Sequence, residues 1–357
     1  MNSENLKYIG KVRKNIDVII SPSSPNQHVI MSGISGSGKS YRIEDMERRI
    51  VNQGGTVVVI DINGNHSLPM GSDVSLISAQ EDGLMLNLLD RKWVDAGKET
   101  VSNLISYVVW AICPKKLRGV CQISSVREAV EFALNYRSAF ASDMDAIAYG
   151  LKRQNTQPSQ GAYIHLCDVL EGNIFRDSSK KILKHHLNVI SLKGINPTTQ
   201  KKIAEILLCV LWRQMRMYGE KNDAWTLVVD EFQNLNFAEG SALYQMLTEA
   251  RKYHLSLLLA TQTISIFSKK ERAILNQAAV QLFFRQAKTD ERQIAALIDE
   301  TKKEKWEMAL KHLHVGEAIA VGDIQVNGRD IMQPVITTSE KLVHCSKLAT
   351  SNSRERR

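Results

Sequence analysis

Three features of the sequence predict an α/β fold built on a mainly parallel, three-layer sheet. Short runs that are apolar on both faces recur along the chain, and helix-like segments separate them. One such run leads through a glycine-rich turn straight into a helix. Strands joined through helices imply right-handed crossovers, which put helices on both faces of the sheet.

Residues 1–27 are an N-terminal lead ending in the turn cluster Ser21-Pro22-Ser23-Ser24-Pro25-Asn26. His28–Ser32 is the first apolar run, and Lys39–Gln53 is a helix stopped by Gly54-Gly55. Thr56–Asp61 (TVVVID) is β-branched and apolar on both faces, the pattern of a strand covered on each side. From 84 to 186 the texture is helical, with loop signals at Cys113–Lys116 and Asn155–Gly161. Strand character returns at Leu187–Leu192. A long helix over Thr199–Tyr218 then sets Ile203, Ile206, Leu207, Val210, Leu211 and Met215 near one face. The rest reads as strand Trp225–Asp230, a helix around Ser241–Tyr253, strand Leu255–Thr261, a helix around Leu275–Ala278, strand Ala279–Arg285, helix Asp290–Asp299 and a last strand, His314–Val321. The expected domains are a core of 28–83 and 187–340, a helical insert of 84–186, and an unstructured tail of 341–357.

Composition narrows the function. The 357 residues are 43% hydrophobic and 24% charged, a globular balance with room for a sizeable core. A net charge of +8 suits nucleic acid or an anionic membrane face, and it also suits many cytosolic proteins with neither partner. No run approaches the roughly 18 apolar residues of a membrane span, and the first ten residues lack a signal core, so a cytoplasmic protein is expected, with the inner face of the cell membrane as a second station. Five cysteines without CxxC spacing argue against a disulfide framework or a zinc knuckle.

The strongest motif is Gly33-Ile34-Ser35-Gly36-Ser37-Gly38-Lys39-Ser40, which satisfies GxxxxGK[ST] between a buried strand and a helix. Glycines let successive N–H groups point at phosphate oxygens, and the helix start adds unpaired N–H groups and a positive dipole end. Lys39 would reach the β- and γ-phosphates, and the Ser40 hydroxyl would ligate Mg²⁺. With Tyr41, residues Gly33, Ile34, Ser35, Gly36, Ser37, Gly38, Lys39 and Ser40 form the candidate ATP-binding set. Trp225–Glu231 (WTLVVDE) supplies a strand ending in two acids: Asp230 for the Mg²⁺ shell and Glu231 to polarise a water for attack on the γ-phosphorus. A second acid favours hydrolysis over transfer to a substrate hydroxyl, which disfavours a kinase. Leu255–Gln262 is a third strand ending in an amide, and Gln262 is placed to sense the γ-phosphate or position the water.

With these elements in this order, the sequence resembles the HerA/FtsK superfamily of hexameric P-loop motors, and within it the ATPases of conjugative transfer and type IV secretion. The matching segments are HVIMSGISGSGKS, TVVVIDING, WTLVVDEFQNL, LTEARKYHLSLLLATQ, ILNQAAVQLFFR and HVGEAIAVG, spanning about Gln27 to Gly322. The resemblance implies a RecA-like core with a helical insert between its Walker A and Walker B strands. It also implies ring formation, Mg-dependent ATP hydrolysis between subunits, and movement of DNA or protein through a pore. An arginine reaching the neighbouring subunit's nucleotide is implied as well, and Arg251 and Arg285 fall in family-like basic slots, with Arg251 favoured. Relatives tend to place an acid after the glycine that follows the second strand. This chain has Asn65 there, so the turn after Asp61 reads as an Asn-Gly turn rather than a catalytic one. Only about 27 residues precede the first motif strand, so a motor module without the family's usual N-terminal domains is expected.

The stretch from Ser40 to Asp230 is about 100 residues longer than a few βα units of roughly 25 residues require, and the insert accounts for the surplus. Conjugation ATPases carry such an insert, so recognition of cargo or a partner is its expected role. Lys115-Lys116-Leu117-Arg118, Lys180-Lys181 with Lys184, and Lys302-Lys303 with Lys305 are candidate phosphate contacts, although solvated faces look the same. The leading expectation is a ring-forming, DNA-moving ATPase of a mobile element, binding DNA with little sequence preference. A defence motor working with a nuclease, a viral packaging motor and a non-processive assembly switch are the alternatives.

Overall fold

The computed structural model describes residues 7–12, 16–67, 73–85, 87–113, 119–176, 180–218 and 224–339. Among them the elements run β1 (Tyr8–Val12), β2 (Ile16–Ile20), β3 (Val29–Ser32), α1 (Lys39–Asn52), β4 (Thr56–Asp61), β5 (Val74–Ser78), α2 (Lys92–Asp95), α3 (Val101–Ile112), α4 (Val120–Tyr136), α5 (Asp143–Gln154) and α6 (Gln157–Leu170). They continue with β6 (Leu187–Ser191), α7 (Pro197–Tyr218), β7 (Trp225–Val229), α8 (Ala242–Glu249), β8 (Leu255–Thr261), α9 (Lys269–Leu275), β9 (Val280–Phe283), α10 (Glu291–Ile298), α11 (Lys303–His312), β10 (Glu317–Gly322), β11 (Ile324–Val326), β12 (Arg329–Ile331) and β13 (Val335–Thr338).

All thirteen strands form one sheet, ordered β12-β11-β2-β1-β13-β10-β9-β3-β8-β7-β4-β6-β5. From β9 to β5 every pairing is parallel. From β12 to β9 every pairing is antiparallel. The expected α/β class and its parallel core are present. The antiparallel extension is additional: the lead contributes β1 and β2, and β11 to β13 follow what reads from sequence as the last strand.

Alternation along the strands divides the core. Val58 and Ile60 of β4, Leu227 and Val229 of β7, and Leu257 and Leu259 of β8 pack with the insert helices and α7. Val57, Val59, Val228, Leu258 and Ala260 pack on the other face with Ile43, Met46 and Ile50 of α1. The helical layers are thus unequal: among the described residues, α1 is the only helix that contributes to the second cluster. α4, α5 and α6 pack on one another, and no strand falls between 84 and 186 among the described residues.

Two expectations shift. The helix placed around Leu275–Ala278 instead runs over Lys269–Leu275, its start fixed by a reciprocal capping box of Ser268 and Glu271. The helix around Ser241–Tyr253 ends at Glu249 and tightens into a 3₁₀ turn over Ala250–Tyr253. Among the described residues, no helix is long and apolar enough to cross a membrane. The tail from 340 and the basic run 115–118 lie outside the described residues.

Candidate active site

The sheet order places the site. β3 carries the phosphate loop, β7 carries the acid pair, and β8 lies between them. At about 4.8 Å per strand, the two carriers stand roughly 10 Å apart, with the carboxyl end of β8 in the gap. Parallel strands bring all three loops to the same edge, where open α/β sheets bind ligands.

The phosphate loop is stitched to its neighbours. Gly33 N donates to the Thr261 carbonyl (3.2 Å) and Ile34 N to the Arg285 carbonyl (2.9 Å). A Cβ on Gly33 would stand 2.7 Å from Phe284 Cβ, and one on Gly38 would stand 2.6 Å from Gly316 N. Gly36 and Gly38 have φ of +74° and +104°, backbone open to glycine and strained for other residues. α1 begins with no side-chain cap and no acid in its first turn, leaving its leading N–H groups to an anion.

Lys39 is buried and folds back, its Nζ donating to the carbonyls of Gly33 (2.6 Å) and Ile34 (3.2 Å). Burial pushes its ammonium pKa down, against the opposing pull of Asp230 and Glu231. Burial and the neighbouring Glu231 push the Asp230 carboxyl up, partly offset by Lys39. A cavity of about 220 Å³ is lined by Ser35, Gly36, Gly38, Lys39, Ser40, Tyr41, Asp230 and Glu231. Lys39 and Glu231, 192 positions apart in number, therefore face one space.

Glu231 sits at φ +58°, ψ +40°, a left-handed conformation unusual for glutamate. Two features hold it there. Its N–H donates to Asp230 Oδ1 (2.9 Å), and the next residue, Phe232, is fully buried and stacked on Phe267 with centroids 5.1 Å apart. The Glu231 carboxylate accepts from Gln262 Nε2 (3.2 Å) and from the Gln233 amide. The structure thus brings Gln262 to Glu231. It adds Gln233, whose place two residues after the acid offered no signal of its own.

Arg285 is exposed just past β9, its carbonyl holding the phosphate loop. Arg251 is exposed in the 3₁₀ turn before β8, at the opposite end of the sheet; seven residues of strand separate the two ends by about 23 Å. Lys180 is tied to Asp82 (2.9 Å) and the Leu76 carbonyl (3.0 Å), which occupies a residue read as a phosphate contact. Asp61 accepts from the N–H groups of Gly64 (2.8 Å), Asn65 (3.2 Å) and His66 (3.2 Å). Its carboxylate organises the turn, and Gly64 supplies the positive φ of 69° without help from Asn63.

The family model for the central domain of the helicase HerA matches residues 7–210. The chain belongs to the HerA central-domain family. The match covers β1 through most of α7 and stops before the acid pair. Among solved structures, VirB4 of Thermoanaerobacter pseudethanolicus superposes with a TM-score of 0.71 at 15% identity, covering 96% of this chain and 98% of that one. The bacterial conjugative coupling protein TrwB, lacking its N-terminal 70 residues, superposes with a TM-score of 0.69 at 12% identity, covering 95% and 90%. TrwB has also been solved with the non-hydrolysable ATP analogue ADPNP and with ADP and Mg²⁺; these superpose at 0.63 and 0.62, with 15% and 14% identity, each covering 88% of this chain and 85% of TrwB. At such identities the likeness of this HerA-family chain to both is one of fold. No curated protein matches it.

Proposed function

We propose that the chain is a magnesium-dependent ATPase, a ring-forming motor that moves DNA in a conjugative or mobile-element transfer system. One observation carries the chemistry: Lys39, Ser40, Asp230 and Glu231 line a single cavity, with the Glu231 carboxylate aimed by two amides. The residues present fit the nucleotide. A Cβ on Gly33 or Gly38 would collide with Phe284 or Gly316, so the loop keeps its curl only with glycine there; the first turn of α1 is uncapped, and Ser40 and Asp230 are the hard oxygen donors that Mg²⁺ prefers. The nucleotides bound by TrwB support the same assignment.

Loop N–H groups and Lys39 bind the phosphates, and Lys39 exchanges its carbonyl partners for phosphate oxygens. Ser40 and Asp230 hold the metal, which supplies charge neutralisation at the phosphates when bound. Glu231 accepts the proton of the attacking water, oriented by Gln262 and Gln233. Arg251, remote from its own loop, is offered to a neighbouring copy, and an arginine there stabilises charge on the transferring phosphate. A kinase needs no glutamate so placed.

Family membership and the +8 charge support nucleic acid as the cargo. ATP turnover measured with and without double-stranded DNA, alongside particle mass, tests the proposal. The expected result is turnover raised several-fold by DNA at the mass of a multimer, with the stimulation lost as salt rises. Turnover by a monomer indifferent to DNA would support the assembly switch instead.

A further inference from the structure

Behind the acid pair lies a second cavity of about 150 Å³, which shares Ser35, Ser40, Asp230 and Glu231 with the first. Its outer wall is the turn after β4, through Asp61, Asn63, Asn65 and His66. The turn is wound around Asp61 by three backbone hydrogen bonds. It is fastened to α1 by His66 Nε2, 3.1 Å from Glu47 Oε2, and by the Ser67 hydroxyl on Glu44. Glu47 is 1% exposed, and neither of its oxygens makes a well-aligned hydrogen bond among the described residues; the imidazole is its ion-pair partner. Burial pushes the Glu47 carboxyl pKa up, and the contact with His66 pulls it the other way.

We infer that the Glu47–His66 pair is a positioning device for the hydrolysis proposed above, on which this inference rests: it fixes the turn as the far wall of the water chamber and sets a cation opposite Asp230. His66 is a positioning residue, acting through the turn and through its field. The groups facing its imidazole are Glu47 and Glu44 from α1, Asp61 from the end of β4 and Asp230 from the end of β7, all acidic. Burial is the largest influence and opposes charge on the ring, but Glu47, Asp61 and Glu44 together hold the imidazole pKa above its ordinary value.

The test uses the full chain with Mg-ATP and double-stranded DNA, comparing wild type with His66→Ala, His66→Gln and Glu47→Gln. The readouts are kcat, its pH profile, affinity for a non-hydrolysable ATP analogue, and melting temperature. His66→Ala is expected to lower kcat at least tenfold with analogue affinity within twofold, and His66→Gln to recover part of the loss. In Glu47→Gln the imidazole loses its partner, so as pH rises kcat is expected to start falling at a lower pH than in wild type. A kcat within twofold of wild type in His66→Ala would overturn the inference. So would a parallel loss of kcat, affinity and melting temperature in all three variants, the mark of a merely structural pair. A wild-type chain without turnover would overturn both this inference and the hydrolysis on which it rests.

Discussion

In the parallel half of the sheet, β4 and β8 are buried at every residue. In the antiparallel half, β2, β11 and β13 are only partly buried, and β12 has no buried residue. The first half carries all the candidate chemistry, and the second is assembled from residues 8–20 and 317–338, drawn from distant parts of the sequence. The difference is one of support. The phosphate loop is gripped from the antiparallel side, where Gly316 N donates to the Ser37 carbonyl (2.9 Å), and by Arg42, which joins the two halves.

Arg42 stands two residues after Ser40 and is wholly buried. Its guanidinium donates to the Gly316 carbonyl (3.0 Å), the Ile9 carbonyl (2.5 Å), both oxygens of Thr337 (3.1 and 3.3 Å) and the Ser339 hydroxyl (2.7 Å). Burial pushes its pKa down to about 10, still charged at neutral pH. Arg42→Met is expected to cost about 3–5 kcal/mol, because it strands several buried acceptors at once. Chemical denaturation reads the loss, and hydrogen exchange should show β1 and β13 released before β4 and β8. Uniform release would mean that the two halves are one cooperative unit, which would break the comparison.

A smaller effect belongs to the parallel half. His28, at the entrance to β3, is 1% exposed, and its Nδ1 accepts from Leu257 N (3.1 Å). Burial lowers its pKa from 6.5 to about 4, so the folded protein holds it neutral. The unfolded chain takes up the proton first as pH falls, so stability is lost between about pH 6.5 and 4, by about 3 kcal/mol at most. A His28→Asn variant should lose this acid sensitivity. An unchanged pH dependence of unfolding would show that other groups carry it.

The same contrast explains what the sequence disclosed. Continuous runs such as TVVVID and LSLLLAT announce a strand covered on both sides, and the ordered motifs at their ends named Lys39, Asp230, Glu231 and Gln262, which the structure brings together. β1, β2 and β11 to β13 are three to five residues long, all but β1 are partly exposed, and pairings such as Lys11 with Thr338 join positions more than 300 apart, leaving no local signal. β5 (VSLIS) was hidden in the same way at the other sheet edge. The Ser268–Glu271 spacing encodes the start of α9 as a capping box. Arg42 and Glu47 are charged residues on α1, and both are buried. Their burial depends on strands and a turn from elsewhere in the chain, which a helical pattern does not encode.

The central claim is that Glu231 is the base of an ATPase whose phosphate loop lies across the same cavity. Glu231→Gln keeps the shape and the amide contacts while removing the proton acceptor, so it tests the claim most directly in a single-turnover measurement with radiolabelled ATP. The account predicts ATP bound with affinity close to wild type and held intact, with cleavage slowed at least 100-fold. Cleavage at the wild-type rate would contradict it.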